Sequence, residues 1–225
     1  MIAIKTLFES FCDYAKDYPA GANPTVEWCK KLNEAQYDIM DKVAPLYDDN
    51  ERIKKLMRDF ITPYTANTTS NGEITTVPDT LYRIIQANVL PVGADPILVH
   101  YSHENSVAMT YGIPQRSPSL ANKIIYYHFT QGGMQLYPKQ VLPFSMLYLR
   151  KPEDGYIEYV ETAIGTGEFA LRPVNGTMVD LLWDESGYNL ILYSLLEKYG
   201  IIKKEVLLTE YGKFGIQTDL INVPK

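Results

Sequence analysis

Cysteine and histidine are scarce in this chain, with two and three copies in 225 residues. Cys12 and Cys29 form no CxxC pair, so neither a disulfide framework nor a thiolate metal site is expected. Both fall on predicted helices and read as reduced core thiols in a cytoplasmic setting. Long apolar runs are also missing, and none approaches the roughly 18–20 residues of a membrane span. The opening Met1-Ile2-Ala3-Ile4-Lys5 lacks a basic region followed by a long apolar stretch, so no secretory signal is expected and the chain reads as soluble and intracellular at synthesis. Positive charge is in deficit: 21 Lys and Arg against 27 Asp and Glu give a net charge of −6. A dedicated nucleic-acid binder draws its affinity from basic residues that neutralise phosphates, so this balance argues against that class. A mildly acidic surface would still let DNA pass without gripping it.

Chemical motifs are equally sparse. No GxSxG, P-loop or GxGxxG pattern occurs, and Gly165-Thr166-Gly167 reads as a turn. Arg116, Lys123, Arg150 and Lys151 are scattered and form no basic stripe. The one histidine cluster is His100-Tyr101-Ser102-His103-Glu104. On a strand His100 and His103 point to opposite faces, and the helical H-E-x-x-H spacing is absent, so no metal is expected there. His128, on a Tyr-rich strand, reads as a packed or interface histidine. The acidic pairs Asp48-Asp49, Glu153-Asp154 and Asp184-Glu185 sit beside turns or helix starts, where acids cap backbone N–H groups. No catalytic residue, cofactor site or metal site is expected, and the sequence makes no case for an enzyme.

What the chain does have is length, apolar content and tyrosine. At 225 residues with 46% hydrophobic content it is one large domain, or a helical part and a β part sharing a core. A chain this long buries roughly 70–75% of its unfolded surface and needs no disulfide or metal to fold. Eighteen tyrosines stand against seven Phe and two Trp. Tyrosine gives wide contact area with a hydroxyl at one end, which suits interfaces; a Tyr-rich β-sheet accounts for the count equally well.

The apolar spacing predicts three opening helices. Their stripes are Leu7, Phe8, Phe11, Cys12, Ala15 and Tyr18, ended by Pro19 and Gly21; then Trp28 to Val43, opened by Asn23-Pro24 and stopped by Pro45; then Ile53 to Ile61, capped by Asp48 or Asp49. Tyr64 to Thr76, with Asn71-Gly72, reads as a loop or hairpin tip. Val77-Pro78-Asp79 can cap a short helix from Thr80 to Asn88. From Pro91 to Thr177 the texture turns to β, with strands expected at Ile97–Tyr101, Val107–Tyr111, Ile124–Thr130, Met134–Tyr137, Phe144–Leu149, Tyr156–Thr162 and Phe169–Val174. Gly132-Gly133 signals a hairpin. A helix opens at Asp184 and closes on Gly200 in the left-handed C′ position. Ile202 to Lys225 reads as an extended arm that pairs Phe214 to Leu220 with Glu205–Thr209, or adds to a neighbouring subunit's sheet.

The fold class expected is therefore α+β: a helical bundle from 1–90 and 178–201, a central antiparallel β insertion over 91–177, and an extended C-terminal arm over 202–225. The order of Val77-Pro78-Asp79, Pro114-x-x-Ser117-Pro118, Met134-Gln135-Leu136-Tyr137-Pro138, Leu147 to Pro152, and Asp180 to Glu185 leading to Lys198-Tyr199-Gly200-Ile201 resembles the head–tail connector, or adaptor ring, proteins of crAss-like and related Bacteroidetes phages. The likeness covers roughly residues 77 to 201. It implies a non-enzymatic virion protein that forms a homo-oligomeric ring beneath the portal, extends the DNA channel and docks later tail components. It also implies residence at the head–tail junction after assembly in the host cytoplasm. Portal protein and other tail or ring proteins are the implied partners, with passing DNA contact, no sequence-specific binding and no membrane. The interface residues this implies are Tyr126, Tyr127, His128 and Tyr148 in the β part, and Phe214, Ile216 and Leu220 in the arm. The alternative is an accessory virion or tail module whose aromatic β-domain holds a glycan or peptide.

Overall fold

The computed structural model describes residues 1–15, 25–111, 113–161, 169–172, 178–202 and 204–214. The protein is mixed α+β and divides into two compact units, Met1–Phe60 with Lys151–Lys225, and Ile61–Arg150.

In the first unit the helical stripes become a core. α1 (Ile4–Tyr14) buries Ile4, Leu7, Phe8 and Phe11. Asp180 Oδ1 accepts the Ile4 amide at 3.0 Å, supplying the cap that Ala3 cannot. α2 (Thr25–Val43) buries Trp28, Leu32, Ala35, Ile39, Met40 and Val43 at helical spacing, and Pro45 sits in the 3₁₀ turn that follows. α3 (Glu51–Leu56) is capped by Asn50, whose Oδ1 accepts from Arg52 and Ile53, so the cap is neither Asp48 nor Asp49.

Downstream, Asp184 caps a 3₁₀ turn through the Ser186 amide, and α5 (Tyr188–Lys198) follows. Gly200, at φ +68°, ends it in a Schellman pair: Gly200 N donates to Glu197 O at 2.8 Å and Ile201 N to Leu196 O at 3.0 Å. Trp28 meets Phe8 edge-on at 5.0 Å, and Trp183 meets Phe60 at 4.8 Å. The rest of this unit holds a short antiparallel ladder, Glu158–Glu161 with Phe169–Arg172, and a last helix, Lys204–Lys213.

That last helix corrects the expected arm. Leu207, Tyr211 and Phe214 recur at i, i+4 and i+7, a helical spacing that outweighs the alternation read for a strand. Tyr211 is buried, with Lys42 Nζ on its hydroxyl at 3.3 Å, so Glu205–Thr209 offers no strand for a hairpin. Residues 215–225 lie outside the described residues, as do Tyr18, Pro19, Gly21 and the Asn23-Pro24 cap.

The second unit is a seven-stranded curled sheet. Its strands are β1 (Ile61–Asn67), β2 (Glu73–Ile74), β3 (Leu81–Val89), β4 (Ile97–Tyr101), β5 (Ile125–Thr130), β6 (Gly133–Tyr137) and β7 (Pro143–Arg150), in the order β1-β7-β3-β4-β5-β6-β2. The outermost strands, β1 and β2, are consecutive in the chain and joined only by residues 68–72, which forces the sheet to curl round its apolar face. Ile74, Val89, Val99, Ile125, Leu136, Phe144 and Met146 fill the interior.

Four expectations fail here. Thr80–Asn88 is strand β3, because irregularities at Leu81/Arg83 and Ile84/Gln86 break the two-residue alternation and give Leu81, Ile84 and Ile85 a helix-like spacing. Val107–Tyr111 is not a strand but falls mostly in α4 (Glu104–Thr110), since β4 and β5 run parallel and a parallel pair needs a crossover between them. That same pairing makes the sheet mixed, not antiparallel. The β structure also starts at Ile61, well before Pro91. No helix among the described residues is long and apolar enough to cross a membrane.

Candidate functional site

β4 stops at Tyr101, its parallel neighbour β5 runs three residues past the paired Tyr127 to Thr130, and inward-facing side chains of both emerge at one rim. Val99 and Ile125, paired in register, lie inside; two residues on, Tyr101 pairs with Tyr127. Phe129 is the next residue on that face of β5. Tyr127 is buried and packs edge-on against Tyr101 at 5.5 Å and against Phe129 at 5.9 Å. Tyr101 and Phe129 are 54% and 48% exposed, so a buried ring supports two rings that reach solvent. His103, which precedes α4, stands at 5.4 Å from the Tyr101 ring with Nδ1 3.5 Å from its hydroxyl. Burial pushes the Tyr127 phenol up from its ordinary range, and Tyr101 adds to the shift. The rim offers apolar ring faces and hydroxyl groups that can hydrogen-bond.

The residues expected at an interface are dispersed. Tyr126 is half-buried on the opposite face of β5. His128, also on that face, is buried and stacks on Tyr137 at 5.5 Å, with Nδ1 finding no hydrogen-bond partner. Tyr148 belongs to the sheet core, its hydroxyl 3.2 Å from Thr80 Oγ1. Phe214 is buried in the first unit, where its carbonyl accepts from Asn50 Nδ2 at 2.6 Å. Tyr127, Tyr148 and Phe214 therefore have little surface left for a neighbour. Ile216 and Leu220 lie outside the described residues.

Tyr101 and Phe129 were hidden from a reading of tyrosine-rich strands. The available signal was parity: both alternate with core residues at the point where their strands stop.

The other reactive groups have structural surroundings. Cys29 is buried with Sγ on the Ile157 carbonyl at 3.6 Å. Cys12 is exposed, which corrects its assignment as a core thiol. Among the described residues no three His, Cys, Asp or Glu side chains gather to hold a metal. Asp184 is held below its ordinary carboxylate range by hydrogen bonds from Ser186, as a cap should be. Compared with protein-family models and with curated proteins, the sequence matches none. What the fold and the rim define is a mixed α+β protein with exposed aromatic side chains on its β unit.

Proposed function

We propose that this chain is a non-enzymatic structural subunit of a phage virion, forming a ring at the head–tail interface beneath the portal. On this reading the helical unit is the bundle, the β unit is its insertion, and the ring extends the DNA channel and docks tail components. Two things support it: the order and spacing of the connector-like pieces between residues 77 and 201, and the aromatic rim of the β unit. The rim is the observation that carries the contact role, because exposed Tyr and Phe rings at the ends of two interior strands suit a desolvated protein contact. Quantitative mass spectrometry of purified virions tests it. Copies matching the portal subunit or a small multiple of it support the ring; absence from particles with abundance in infected cells sinks it.

The same rim favours a second reading, an accessory virion or tail module that holds a glycan or peptide on stacked rings. The Tyr101→Ala and Phe129→Ala double variant separates the two. A ring subunit loses incorporation into particles, whereas a binding module is incorporated normally and loses adsorption to cells.

A further inference from the structure

Asn71-Gly72 is one of two Asn-Gly pairs in the chain, and Asn71 is exposed. An asparagine followed by glycine carries its own chemistry. The glycine amide nitrogen bonds to the asparagine Cγ, the Cγ–Nδ2 bond breaks, and the side-chain nitrogen leaves as ammonia, taking the proton that the amide gave up. Water then opens the cyclic imide at either carbonyl, giving aspartate or isoaspartate. Glycine speeds ring closure because no Cβ crowds the ring as it forms. This turn cannot dispense with it: Gly72 has φ +75°, and a Cβ there would meet the Leu136 carbonyl oxygen at 2.7 Å.

The fold holds both ends of the reacting peptide group. Asn71 O accepts from Gln135 Nε2 at 2.6 Å, and the Gly72 N–H donates to Thr69 O at 2.8 Å. Ring closure needs that N–H to lose its proton and that peptide plane to turn about the Asn71 Cα–C′ bond. The first hydrogen bond opposes the turn, and the second opposes both. Gly72 O is held as well, by the Leu136 amide at 2.8 Å. The bonds to Gln135 and Leu136 run to β6, so they last only while β2 stays on it. That attachment is slight, since β2 is an outermost strand that meets β6 through Glu73–Gln135 and Ile74–Met134, and of its two side chains only Ile74 is buried.

We propose that Asn71-Gly72 is a one-way chemical latch on β2. While β2 lies on β6 the Gly72 amide is blocked and Asn71 persists; each opening of β2 exposes the pair to conversion. Aspartate keeps the backbone spacing and lets β2 return. Isoaspartate routes the chain through the side-chain methylene and adds one carbon before the Gly72 nitrogen. The carbonyls on either side then no longer meet Gln135 and Leu136 together, and β2 stays off. The latch lies wholly within the β unit and needs no ring, so virion copy number does not decide it.

The test incubates the full chain at neutral pH and follows the peptide bearing Asn71 by mass spectrometry, with isoaspartyl methyltransferase labelling to separate the two products. In the folded wild type Asn71 is expected to convert at least about tenfold more slowly than in urea, a comparison that needs no variant. Gly133→Ala, whose Cβ would press on the Ile74 carbonyl, is expected to bring the rate toward the urea value while the β1–β7 amides stay protected. Gly132→Ala, with open space at its Cβ, should convert as the wild type does. Refolded from urea, chains carrying isoaspartate should keep a fast-exchanging Leu136 amide, and chains carrying aspartate a slow one. Conversion of the folded wild type at the urea rate overturns the latch. So does a folded Gly133→Ala that converts no faster than wild type, or an isoaspartate chain in which Leu136 regains its protection.

Discussion

A single buried amide joins three distant stretches of the first unit. Gln36 Oε1 accepts the Trp183 indole N–H at 3.0 Å, while its Nε2 donates to Asn33 Oδ1 at 3.1 Å. Asn33 Oδ1 in turn accepts the Gly155 amide at 2.9 Å. Gln36→Leu keeps the volume but leaves the Trp183 N–H buried and unpaired, which costs about 1–3 kcal/mol. Urea unfolding should show a lower midpoint with an unchanged slope, and Gln36→Leu should cost less in a Trp183→Phe background, where no indole donor is left to orphan. A pH signature belongs to Asp184. Its carboxyl is held below the ordinary range by Ser186, so its stabilisation is fully present above the unfolded pKa and is lost as pH falls through the folded one. Asp184→Ala should cost about 0.5–2 kcal/mol at neutral pH. The gap from wild type should narrow below about pH 4, near the ordinary aspartate value, and a constant gap across that window would exclude the charge as its source.

Between elements, the tightest approach is at the β5–β6 turn. Gly133 has φ +144°, and a Cβ there would meet the Ile74 carbonyl oxygen at 2.1 Å, against backbone that cannot swing aside. Gly133→Ala should therefore detach β2 from β6, read as faster amide exchange at Leu136 and at neighbouring β2 positions while the β1–β7 ladder keeps its protection. Gly132, beside it, has open space at its Cβ position and should accept alanine. The Gly-Gly hairpin was legible in the sequence, as were the α2 stripe, the Asp184 cap and the Gly200 stop, because each is a local rule written within a few residues. The elements that were not legible depend on distant partners. β3 took a helix-like spacing from its bulges, and α4 exists because β4 and β5 are parallel neighbours, which no window of sequence displays. The aromatic rim failed for the same reason: Tyr101 and Phe129 meet through Tyr127, across a pairing the sequence does not announce.

At the scale of the molecule, the chain enters and leaves the β unit through one ladder rung. Ile61 pairs with Leu149, so the two connections start within about 5 Å of each other. A segment whose ends already meet needs little help in closing, and this one carries its own buried cluster from Ile74 to Tyr148. Residues 61–150 expressed alone should fold, with cooperative thermal unfolding and a dispersed amide spectrum. The converse protein, Phe60 joined to Lys151 by a short glycine linker, should keep the Trp183–Gln36 hydrogen bond, visible as a protected indole proton. A fragment 61–150 that collapses without cooperative unfolding would mean that the sheet leans on the rest of the chain for stability. If both halves fold, the aromatic rim belongs to an autonomous unit that a cut at a single rung sets apart from the helical part, and rim variants can be read on the β unit alone.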